Sequence, residues 1–198
     1  MIEEIYGEAR GSFGDTPTGF LGDDYLRLSP YQSERNGAMG MGYKNMDNVW
    51  MLSELGRFTK RRGGKLTNDY FALNVMLYMA RNTYDWPPES KIKNAGLPCR
   101  YYTLGWKAIS AKFAMGMLSM EQLEDPELNA DKAREKREGT AKSRISDAWV
   151  FLQRKGLLKC LQPPSLGKNA GYLLLIGSDE ENADVEAWAR ECLNLPKA

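Results

Sequence analysis

The chain has 198 residues, 27 Lys and Arg against 26 Asp and Glu, a net charge of +1, and no histidine. The missing imidazole excludes Ser-His-Asp and Cys-His nucleophile systems, H-E-x-x-H metalloproteases and histidine metal sites, so a non-enzymatic protein without a cofactor is expected. No apolar run approaches the roughly 20 residues of a membrane helix, and Met1-Ile2-Glu3-Glu4 is acidic where a secretory leader would be basic, so no membrane partner and a cytoplasmic location are expected.

Residues 1–66 read as an N-terminal arm. From Gly7 to Gly42 the apolar residues (Phe13, Phe20, Leu21, Tyr25, Leu26, Leu28, Tyr31) are too scattered for long periodic elements. Asn48 to Thr59, with Val49, Trp50, Leu52, Leu55 and Phe58, reads as a short helix. Lys60 to Lys65 reads as a solvated basic turn, because its glycine pair lacks the spacing of a phosphate-cradling G-x-x-x-x-G-K-[ST] loop.

A folded domain is expected over residues 67–198. Thr67 is the expected cap of a helix from Asp69 to Asn82, with Phe71, Val75 and Met79 four residues apart on one face. Trp86-Pro87-Pro88 breaks it, and Lys91 to Arg100 reads as a loop. Thr103 is the expected cap of a second helix, Leu104 to Ala114, burying Trp106, Ile109 and Phe113. Residues 115–139 read as an insertion: a helix around Met117, Leu118, Met120 and Leu123, then the octad Asp131 to Glu138, whose alternating charges suit a solvated helical face. After the next helix and hairpin, residues 180–193 read as a last helix with Val185, Trp188, Ala189 and Cys192 inward. The three cysteines, Cys99, Cys160 and Cys192, form no C-x-x-C pair and read as buried thiols.

The most telling stretch runs from Thr140 to Ile176. Ile145, Ala148, Trp149 and Leu152 recur at three- and four-residue steps on one helical face, and Gly156 ends that helix. Leu157 to Gln162 then reads as a strand, Pro163 to Gly171 as a loop, and Tyr172 to Ile176 as the returning strand. A helix running straight into a Pro/Gly-punctuated hairpin, the wing at 157–176, resembles the tail of winged helix-turn-helix proteins of the phage or plasmid replication-initiator and regulator type. The resemblance covers about residues 67–178 and implies an α+β fold, mostly α with a small β-hairpin. The chain departs from the family in the long insertion between the second and third core helices and in the N-terminal arm.

In that family the third helix lies in the major groove while the wing touches the backbone or minor groove. The resemblance therefore implies double-stranded DNA as partner. Lys142, Ser143 and Arg144 would sit at the recognition helix N-terminus, Lys159, Lys168 and Asn169 on the wing, and Arg154 and Lys155 at the rim. Charge agrees with this placement: residues 131–172 hold 10 Lys and Arg against 4 Asp and Glu. Asp147, Val150 and Phe151 stand where the family carries basic or polar side chains, and are candidate protein contacts. Two functions fit. One is a non-catalytic DNA-binding protein in replication or transcription control. The other is a protein-interaction module on the same scaffold, such as a phage-encoded inhibitor of a host nucleoprotein complex. In either, the arm is a site for a protein partner or second protomer.

Overall fold

The computed structural model describes residues 42–124 and 129–197, apart from the Leu123 side chain. The chain divides between Met39 and Gly40 into two units, and the described residues all belong to the second. Expectations for the aromatics of residues 1–41, and for the partner of that part of the arm, lie outside the described residues. In chain order the elements are α1 (Tyr43–Glu54), β1 (Thr59–Arg62), β2 (Lys65–Asn68), α2 (Tyr70–Arg81), α3 (Ser90–Asn94), β3 (Tyr101–Tyr102), α4 (Gly105–Lys112), α5 (Met120–Glu124), α6 (Ala130–Arg154), β4 (Leu158–Gln162), β5 (Gly171–Leu174) and α7 (Asp179–Cys192). The fold is mixed α+β, helical with two small antiparallel sheets. Among the described residues no helix is long and apolar enough to cross a membrane.

Helix α2 is the centre. Ala72, Leu73, Val75, Met76, Leu77, Met79 and Ala80 are all buried, the pattern of a helix covered on most sides. Its cap is Asp69, whose carboxylate accepts a hydrogen bond from Ala72 N at 3.2 Å, and not Thr67, which lies within β2. Helices α1 and α6 pack on α2, and α4 packs on α6. Helix α1 starts at Tyr43, earlier than the apolar spacing suggested, because its inward face pairs Val49 with the polar Asn45. Val49 and Phe58 join the cluster around α2, so residues from this segment, expected in an arm, are part of the core. The expected basic turn is a hairpin, β1 paired with β2.

Helix α6 is a single element of 25 residues, so the charged octad and the expected recognition helix are continuous. The helix does not start at Thr140, whose hydroxyl donates to Lys136 O at 3.0 Å inside it. Asn129 caps instead, accepting from Lys132 N at 3.0 Å. The face that enters the core is the expected one, Ile145, Ala148, Trp149 and Leu152, extended by Ala141. Trp149 Nε1 donates to Met79 Sδ at 3.2 Å, and its ring lies 4.8 Å from that of Tyr172. One indole thus joins α2, α6 and β5. Of the expected second-helix stripe, Ile109 is buried, and Trp106 and Phe113 are half-buried. The cap position of α4 is Leu104, which offers no side-chain bond, rather than Thr103.

Strands β4 and β5 form the expected hairpin, with a bulge between Cys160 and Gln162. The short β3 pairs with the other edge of β5, giving the order β3-β5-β4. Ser178 caps α7, and Asp179, Glu180 and Glu181 occupy its first turn, where the helix dipole favours carboxylates. Val185 and Ala189 pack on Leu173. Trp188 and Cys192, expected to face inward, are only half-buried, and Trp188 Nε1 donates to Leu97 O at 3.1 Å. Cys160 is exposed, so of the three thiols only Cys99 is fully buried.

A buried polar network fastens the two ends of the unit. Arg100, 1% exposed, donates through Nε to Asn45 Oδ1 at 3.0 Å and through Nη2 to Glu181 Oε1 at 2.7 Å. Asn45 Nδ2 in turn donates to Thr83 Oγ1 at 3.1 Å and Tyr84 O at 3.0 Å, and Asn45 N to Asp85 Oδ1 at 2.9 Å. One guanidinium therefore bridges α1 and α7. Burial pushes the Asp85 carboxyl above its ordinary value.

Candidate nucleic-acid interface

With Ile145, Ala148, Trp149 and Leu152 committed to the core, the opposite stripe of α6 must face outward. It carries Ser143, Asp147, Val150 and Arg154, with Lys142 and Arg144 beside them, and all six are exposed. Helical continuity corrects one expectation. Lys142, Ser143 and Arg144 lie inside α6, well past its cap at Asn129, so their backbone N–H groups belong to the helix and no free dipole end attracts a phosphate there. What these residues can offer is side chains alone.

Arg144 is held by neighbours. Its guanidinium carbon sits 4.1 Å from the centroid of the Phe71 ring on α2, a cation–π contact that fixes the plane and leaves N–H edges at the surface. Phe71 in turn meets Phe113 edge-on at 6.1 Å, so the platform is braced by the α4 end. At the other end of α6, Lys155 Nζ lies 5.6 Å from the half-buried Phe151 ring. Lys155 O accepts from Arg57 Nη2 at 3.1 Å, and this brings a third cation to Arg154 and Lys155. Val150 is 43% exposed, whereas Phe151 is half-buried and packs in part against the core.

The wing residues divide. Lys168 is exposed in the tip turn, closed by backbone bonds between Ser165 and Lys168, and Leu166 beside it is fully exposed. Asn169 is occupied, donating through Nδ2 to Thr103 O at 3.1 Å and lying against Gly105, whose φ of 76° and contact with Asn169 leave no room for a Cβ. It ties the wing to α4. Lys159 is occupied too, reaching both carboxylate oxygens of Glu186 at 2.7 Å, with Arg190 Nε on the same carboxylate at 2.8 Å.

Burial opposes ionisation of Glu186, but hydrogen bonds from Lys159 and Arg190 outweigh it and hold the carboxyl below its ordinary 4.5. A depressed carboxylate stabilises the fold above its unfolded pKa, and that contribution disappears as pH falls through the folded value. Lys159→Ala should therefore raise the Glu186 pKa, read by NMR titration of its side-chain carboxyl, and should shrink the stability lost on acidification. An unmoved titration would show that the pair does not persist in solution.

The cationic surface thus comprises Lys142, Arg144, Arg154 and Lys155 on α6 and Lys168 on the wing, without Lys159 and Asn169. Arg57 carries no sequence motif and becomes relevant only through its bond to Lys155 O. No group of three or more Cys, Asp or Glu side chains able to hold a metal occurs among the described residues. Burial pushes the Cys99 thiol up to about 12, so it stays protonated and unreactive at neutral pH. No protein-family model, no curated protein and no solved structure matches this chain.

Proposed function

We propose that residues 67–178 form a winged helix that binds double-stranded DNA without catalysis, as a cytoplasmic phage or plasmid protein of replication or transcription control. The reading rests on one observation: the face of α6 opposite the core is an outward stripe flanked by Lys142, Arg144, Arg154 and Lys155 and followed by a hairpin with Lys168 at its tip. The order of helices α2, α4 and α6 followed by the β4–β5 hairpin supports this reading. Because α6 continues past Lys142 toward Asn129, groove contact falls along the side of the helix rather than at its N-terminus. Arg144, preorganised on Phe71, is the side chain best placed to pair with a guanine edge or a phosphate.

A protein-docking role on the same scaffold is supported by Asp147 and the 43% exposed Val150 in the middle of the stripe. Paired substitutions separate the two. Arg144→Ala should weaken specific duplex binding by about 1–3 kcal/mol, with little loss of fold, since an exposed cation–π contact is worth only about 0.5–1 kcal/mol. Val150→Ser should leave DNA affinity unchanged. If Arg144→Ala binds duplex as the parent does, while Val150→Ser loses a protein partner and still melts like the parent, docking replaces DNA binding.

A further inference from the structure

The β1–β2 hairpin stands outside the trihelical core and wing, and its residues are those of neither a core nor a neutral turn. Strand β1 reads Thr59-Lys60-Arg61-Arg62 and β2 reads Lys65-Leu66-Thr67-Asn68, joined by Gly63 and Gly64. Both glycines have positive φ, 57° and 79°, as a two-residue type I′ turn requires. A Cβ on either would meet nothing within 4 Å, so the tip projects into solvent. Arg61 through Asn68 are all exposed, including Leu66 at 69%. Four-residue strands at about 3.4 Å per residue reach roughly 13 Å.

Its charges are arranged at a local cost. Arg62 stands directly across from Lys65 in the register, and like charges in that position repel. Lys60, at the base, has an acidic partner, Asp69; no ion pair to Arg61, Arg62 or Lys65 occurs among the described residues. Leu66, opposite Arg61, has no core to enter. Folding gains nothing from concentrating three unpaired cations on so short a ribbon, whereas a polyanion would relieve their repulsion.

The base is fixed where a duplex would lie. Asp69 N donates to Phe58 O at 2.9 Å, closing the hairpin onto the start of α2. Arg57, immediately before it, donates to Lys155 O at 3.1 Å at the C-terminal end of α6. The base of the ribbon therefore lies near Lys155 at the C-terminal end of α6. We infer that the β1–β2 hairpin is a second duplex-DNA contact, gripping backbone phosphates beside the site of α6 and the wing through Arg61, Arg62 and Lys65. This rests on the DNA-binding reading and adds a contact to it that the winged helix alone does not include.

The test compares three full-length proteins on one random-sequence duplex over a range of salt: the parent, the hairpin variant Arg61→Gln, Arg62→Gln, Lys65→Gln, and the helix–wing variant Lys142→Gln, Lys168→Gln. Melting curves check that each variant folds like the parent, as exposed side chains permit. Each phosphate contact contributes about −0.9 to the slope of log affinity against log salt, so the hairpin variant should be shallower by about 2.7. A hairpin variant with the parent's slope and affinity overturns the inference and leaves the winged-helix reading standing. A shallower hairpin variant with an unaffected helix–wing variant supports the inference and shows that Lys142 and Lys168 make no contact. A parent that does not bind overturns both.

Discussion

Trp149→Ala should destabilise the protein by about 3–5 kcal/mol, the range for truncating a large aromatic side chain in a packed core. The indole is 9% exposed, donates to Met79 Sδ at 3.2 Å and lies 4.8 Å from the Tyr172 ring, so its loss opens a cavity where α2, α6 and β5 meet. The interior relaxes poorly at such a junction because helix and hairpin are held from several sides. Denaturant unfolding with the two-state slope unchanged is the measurement. A loss below about 1 kcal/mol, the level of an ordinary surface substitution, would mean that this face of α6 is not in the core, and the outward stripe would then be misassigned as well.

Arg100→Met should break the pair and destabilise the protein, and the loss from breaking such a pair reaches about 3–5 kcal/mol where the partner left behind is buried. Methionine matches the stem but leaves Asn45 Oδ1 and the Glu181 carboxylate without their donor. The asymmetry of the pair sharpens the expectation. The Glu181 side chain is 34% exposed and can turn to water when Arg100 is removed, whereas Glu181→Gln leaves a guanidinium that is 1% exposed without its counter-charge, so Glu181→Gln should cost at least as much as Arg100→Met. Arg100→Lys should not restore stability, since one ammonium cannot reach two acceptors placed for a planar fork. A Glu181→Gln loss clearly below that of Arg100→Met would show that the donor lost to Asn45 Oδ1 outweighs the stranded charge.

What is legible in the sequence depends on the physics of each element. The core face of α6 announces itself through Ile145, Ala148, Trp149 and Leu152, because burial on one side of a helix imposes a 3.6-residue period. The β4–β5 hairpin is legible through its Pro/Gly punctuation, though β3, two residues long, is too short to show any period. The start of α6 is hidden because Thr140 resembles a cap while its hydroxyl bonds within the helix. The β1–β2 hairpin is hidden because Lys and Arg fill the places where strand propensity looks for β-branched and aromatic residues. The signal that could have found it is the Gly63-Gly64 pair between two four-residue runs. Arg100 leaves no periodic trace at all, since its partners Asn45 and Glu181 lie 55 and 81 residues away in the chain.

The candidate site shows the same limit. Lys159 and Asn169 are residue types that look free to meet a phosphate, yet Glu186 and the Thr103 carbonyl hold them. Arg144 keeps its place as a candidate for a reason the sequence does not contain, the Phe71 ring beneath it. Contacts distant in the chain decide which surface cations are available, and composition counts them all alike.

The central claim, that the outward face of α6 and the wing bind duplex DNA, is tested most directly by the salt dependence of duplex affinity in the intact parent protein. Lys142, Arg144, Arg154, Lys155 and Lys168 alone should give a log–log slope of about −4 or steeper, with tight binding at low salt that weakens steadily toward physiological ionic strength. A slope near zero, or no detectable binding at the lowest salt, would contradict the claim and leave the stripe around Asp147 and Val150 as a surface for protein.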